Sequence, residues 1–119
     1  MDDVIDRYTS TPFEWGTTDC CSFVCECVQV VTGKDLSATF HWIDYASAQE
    51  LIGSYGSLYD LVTHELGPPT QGYKNGDVCM TLRFGEELLG VVRGAGGVFR
   101  TERGIMQLPM ASIVYVWST

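Results

Sequence analysis

Cationic side chains are scarce in this chain: seven Lys and Arg stand against fifteen Asp and Glu, a net charge of −8, and the seven are scattered rather than gathered into a stripe. Affinity for a phosphate backbone needs clustered cations, so no nucleic-acid partner is expected. An acidic surface suits a basic or neutral partner or a cationic polymer, and it also serves solubility. Long apolar runs are missing as well. No stretch approaches the roughly 20 residues that span a bilayer, so no membrane insertion is expected. The chain opens Met1-Asp2-Asp3 rather than with basic residues and an apolar run, from which we expect cytosolic synthesis without a secretory leader. It contains no internal repeat and no low-complexity segment.

What is present is enough for one core. A length of 119 residues at 45% hydrophobic content predicts a single domain over residues 1–119. Cysteine is plentiful, and four of the five, Cys20, Cys21, Cys25 and Cys27, fall within one predicted helix. Helical neighbours seldom have bridging geometry, so reduced thiols are expected. Cys21 and Cys25 lie one turn apart, with His41, His64 and Cys79 downstream. Structural zinc sites pair short knuckles from two segments, and this pattern has none, so neither metal nor cofactor is expected.

Residues 2–8 predict a short helix, closed by Thr9-Ser10-Thr11-Pro12 and a turn at Trp15-Gly16. A second helix is predicted from Cys20 to about Thr32, with Phe23, Val24, Cys27, Val28 and Val31 inward and Gly33 as its C-terminal cap. Two more follow, from Ala46 to about Ile52 with a break over Gly53–Gly56, and from Leu58 to Leu66 before Gly67-Pro68-Pro69. Beyond Gly72 the apolar period shortens to two, predicting strands at 77–83, 88–93, 97–101, 105–108 and 113–117. Gly94-Ala95-Gly96-Gly97 has neither a lysine nor a helix after it, so it predicts a hairpin turn and not a phosphate loop. Helices first and strands afterwards give an α+β fold, a β-meander packed against the thiol helix.

The chemistry centres on Pro12-Phe13-Glu14-Trp15-Gly16-Thr17-Thr18-Asp19-Cys20-Cys21. Asp19 has the short carboxylate of a good N-cap. It places Cys20 in a first helical turn, whose free amides and partial positive charge favour an anion and therefore the nucleophilic thiolate. Against this stands the commonest role of cysteine, a small buried hydrophobe.

These residues carry a resemblance. Trp15-Gly16 with Asp19-Cys20-Cys21-Ser22-Phe23-Val24, then Asn75-Gly76-Asp77-Val78 and Gly90-Val91-Val92-Arg93-Gly94, resembles the NlpC-type branch of the papain-like cysteine peptidases. Pro12 to Cys21, Leu66 to Pro69 and Gly76 to Val78 resemble more closely a small phage- and prophage-associated offshoot of that superfamily, over nearly the whole chain. The resemblance implies an NlpC-type papain-like fold and descent from hydrolases of cell-wall peptides or amides. It implies synthesis in a host cytoplasm and incorporation into a phage tail or virion. Other phage structural proteins or a bacterial wall peptide are the partners it implies.

Cys20 stands at the family's nucleophile position, but Leu88 stands where active members carry a histidine, and leucine transfers no proton. His64 sits near a helix end, where it serves the dipole. His41, in the loop Phe40-His41-Trp42, is the better substitute base, with packing beside Trp42 as its plain alternative. Phe13, Trp15, Trp42, Tyr45 and Tyr55 are expected to line a cleft, Trp15 and Trp42 foremost, although such aromatics more often belong to a core. Two main readings follow. One is a degenerate peptidase fold kept as a structural or binding module, supported by Leu88. The other is an active thiol hydrolase on wall peptides, in which Cys20 attacks, His41 is the base and the Cys20 amide steadies the oxyanion. A redox-sensitive or adduct-forming Cys20 beside Cys21 ranks behind both.

Overall fold

The computed structural model describes residues 1–38, 40, 42 and 44–119. Among the described residues, four helices precede five strands: α1 (Asp2–Thr9), α2 (Cys20–Thr32), α3 (Tyr45–Tyr55), α4 (Leu58–Leu66), β1 (Val78–Arg83), β2 (Glu86–Arg93), β3 (Gly96–Thr101), β4 (Gly104–Pro109) and β5 (Tyr115–Trp117). The fold is α+β with one antiparallel sheet in the order β4-β3-β2-β1-β5.

Helix α2 forms as its ends dictate. Asp19 caps the start, accepting the Ser22 N–H, and Gly33 ends it at φ 80°, a left-handed backbone that glycine enters without penalty. Its inner face of Cys21, Phe23, Val24, Cys27 and Val28 is buried. Val31 is not on that face; at 40% exposure it lies outside the core, because its turn overhangs Gly76 at the margin of the sheet. Helix α3 runs through the predicted break at Gly53 and ends only at Gly56. An Asp44–Ser47 capping box starts it one residue earlier than predicted.

Strands β1 to β4 form the predicted meander, but β5 does not extend it. The chain leaves β4 through a 3-10 turn at Met110–Ser112 and crosses the back of the sheet to pair with β1 on the far edge. Thr81 Oγ1 donates to the Ser112 carbonyl and Val114 N–H to that of Met80, fixing the crossing. The reason is burial: Ile113 and Met110 cover a second apolar cluster of Cys79, Val92, Phe99 and Val116 on the face turned away from α2. The hairpin turn is only Gly94-Ala95, and Gly96 and Gly97 belong to β3.

Pleating sorts the sheet into two faces. Val78, Met80, Leu89, Val91, Val98 and Trp117 pack with α1, α2 and α4 in the main core. Helix α2 lies across β2 and β3, its last turn over Gly76 and its first toward Arg100. The start of the thiol helix therefore shares an end of the sheet with the β1–β2 and β3–β4 turns.

Candidate functional site

Asp19 is completely buried and holds three donors: the Ser22 N–H at 2.9 Å on Oδ1, and the Gly16 N–H at 2.7 Å and Trp42 indole N–H at 2.6 Å on Oδ2. One carboxylate thus caps α2, closes the Trp15-Gly16 turn and ties down the loop that follows α2. Gly16 permits that turn with φ 92°.

Arg100 secures the same segment from the sheet. Its buried guanidinium group donates to the carbonyls of Thr18 at 3.0 Å, Tyr8 at 3.1 Å and Thr11 at 2.5 Å, and it lies against the rings of Tyr8 and Phe13. The sequence reading overlooked this residue. An arginine at an inward strand position, between Val98 and a turn, was the signal available, since a buried guanidinium must find acceptors.

Of the five cysteines, Cys20 alone is not buried. Its Sγ lies 3.9 Å from that of Cys21, in the core beneath. The neighbouring Cys20 sulfur and burial push the Cys21 thiol well up, and burial pushes those of Cys25, Cys27 and Cys79 up to about 12. Cys25, Cys27 and Cys79 are core hydrophobes, Cys21 is buried beside Cys20, and Cys20 is the one open to a solute.

Leu88 does not face the thiol helix. Its side chain packs on the opposite face, against the cluster of Cys79, Val92, Phe99 and Val116, because strand alternation turns Leu89 and Val91 toward α2. Glu87 is on the helix side too, and its carboxylate accepts the Leu58 and Tyr59 N–H groups, both at 3.0 Å, at the start of α4. His64 is exposed on α4, its ring 5.1 Å from that of Tyr55. His41 lies outside the described residues; its chain neighbours Phe40 and Trp42 are both buried.

The aromatic residues divide. Phe13, Trp15 and Tyr45 form a half-exposed chain of edge-on rings at 5.1 Å spacing. Trp42 is 4% exposed and is spent on Asp19, so it is core and not cleft lining. Tyr55 belongs with His64 on the α3–α4 pair. An open depression of about 470 Å³, lined by Met1, Asp3, Val31, Asn75 and Arg93 among others, lies at the far end of α2. Eleven residues of helix, about 16 Å at 1.5 Å each, separate Val31 from Cys20, so it is no part of this site.

The chain belongs to the family described as a domain of unknown function, DUF6950, whose model matches residues 1–119. No curated protein and no solved structure matches it.

Proposed function

We propose that this protein, a member of that family, is a degenerate NlpC-type, papain-like cysteine peptidase domain of phage origin, retained as a binding or structural module of a tail or virion. The observation that carries the reading is where Cys20 stands and what β2 brings to its helix. A half-exposed cysteine opens a helix capped by a buried aspartate and laid across an antiparallel sheet, the arrangement that the resemblance implies for a nucleophile. At that end, β2 offers the helix Leu89, which is apolar, and Glu87, whose carboxylate is engaged by α4. Neither suits the task of taking a proton from a thiol. The phage origin, the wall-peptide ancestry and the partners rest on the sequence resemblance.

One observation favours the active alternative. Trp42 is hydrogen-bonded to the cap of the thiol helix, and its chain neighbour is His41. Incubation of the wild type and of Cys20→Ser and His41→Ala variants with bacterial wall peptides and phage structural proteins separates the two. The module reading expects no released amine or carboxylate and equal binding by wild type and Cys20→Ser. Cleavage lost in both variants replaces it with a Cys20–His41 hydrolase.

A further inference from the structure

Two sulfurs meet at the start of α2 in a geometry that the proposed function does not use. Cys20 Sγ and Cys21 Sγ are 3.9 Å apart, the first half-exposed and the second buried directly beneath it. A disulfide is a poor outcome for this pair. Adjacent Cα atoms are about 3.8 Å apart, below the separation of roughly 4.4 to 6.8 Å that disulfides span.

A bridging atom fits far better. Two collinear metal–sulfur bonds of about 2.3 Å, the length zinc makes to thiolate, span about 4.6 Å, so a two-coordinate cation needs the sulfurs to part by about 0.7 Å from their 3.9 Å. Zinc itself demands four ligands in a closed site, and among the described residues no group of three or more His, Cys, Asp and Glu could hold a metal. Asp19, the nearest carboxylate along the chain, has both oxygens occupied by N–H donors. A two-sulfur site without a third protein ligand suits a soft cation that is content with low coordination. The first turn of a 13-residue helix also favours the negative charge of a dithiolate complex.

We propose that Cys20 and Cys21 form a two-thiolate site for a soft, low-coordinate cation of the copper(I) class. Binding forms two Cu–S bonds and breaks two S–H bonds: one Cu⁺ and two thiols give a bis-thiolate of charge −1 and two protons released to solvent, with no change of oxidation state. The buried sulfur of Cys21 is shielded from other solutes, so the cation enters past Cys20.

The test is anaerobic titration of the full chain with copper(I) held by a chromophoric chelator, under a non-thiol reductant. The wild type is expected to withdraw one equivalent, and Cys20→Ala and Cys21→Ala each to lose that capture. Cys79→Ala, altered on the opposite face of the sheet, is expected to keep it. Circular dichroism establishes whether each variant is folded, and X-ray absorption on the copper-loaded wild type counts two sulfur neighbours independently of any variant. Failure of the wild type to compete, retained capture in folded Cys21→Ala, or a single sulfur neighbour overturns the proposal. None of these outcomes bears on whether the domain cleaves wall peptides.

Discussion

Trp42 donates its indole N–H to Asp19 at 2.6 Å, and both residues are buried. Twenty-three positions apart, they lock the loop after α2 onto the cap of α2 itself, so the surroundings of Cys20 depend on a contact that neither segment makes alone.

Replacing Asp19 by Ala removes an N-cap worth about 1 kcal/mol and orphans the Gly16 and Trp42 donors at about 1–3 kcal/mol each. Urea unfolding is expected to show a loss of about 3 kcal/mol or more. Asp19→Asn retains one acceptor oxygen and is expected to fall between. A loss below about 1 kcal/mol means that the three hydrogen bonds do not hold the segment.

Gly90 lies in the middle of β2, where an added Cβ meets Phe99 Cδ2 and the Val98 carbonyl oxygen, each at 2.5 Å. Backbone cannot swing aside as a flexible side chain does, so Gly90→Ala is expected to destabilise by about 2–3 kcal/mol through overpacking. Gly53→Ala, with nothing within 4 Å of its added Cβ inside α3, is the control. It is expected to be neutral or stabilising by up to about 1 kcal/mol. Equal melting temperatures for the two variants would refute the packing around Phe99.

Stability is expected to fall in alkali. Burial holds the thiols of Cys25, Cys27 and Cys79 up to about 12, against about 8.5 in an unfolded chain. Above pH 8.5 the folded state therefore keeps protons that the unfolded state has released, and stability drops as pH rises toward the folded values. Each thiol adds a slope of about 1.4 kcal/mol per pH unit. Tyr8, also raised by burial and by its hydrogen bond to Glu26, adds to the fall above its unfolded value of about 10. Urea unfolding under reductant between pH 7.5 and 10.5 measures the slope, and Cys79→Ala is expected to reduce it by one thiol's share. A flat profile over that interval contradicts the burial of these groups.

The local elements were legible because their causes are local. Asp19 and Gly33 bound α2 as predicted, since a cap and a left-handed glycine act within a turn of the residues they serve. Gly53 misled because a glycine costs a helix only about 1 kcal/mol, which the rest of α3 tolerates. Strands β1 to β4 followed the period of two, whereas β5 joined β1 because the second face of the sheet had to be covered, a requirement that no short window of sequence contains.

The site divides along the same line. The sequence by itself determined that Cys20 stands in a first helical turn behind an aspartate cap, because that depends on four consecutive residues. Only the tertiary structure decided what that cap holds, which face Leu88 takes, and that Arg100 reaches back more than eighty positions to the Thr18 carbonyl. Contacts across such separations arise from the packing of α2 on the sheet. Strand register, which turns Leu89 toward α2 and Leu88 away, is settled by that burial and not by the residues at 88 and 89, which are both leucine.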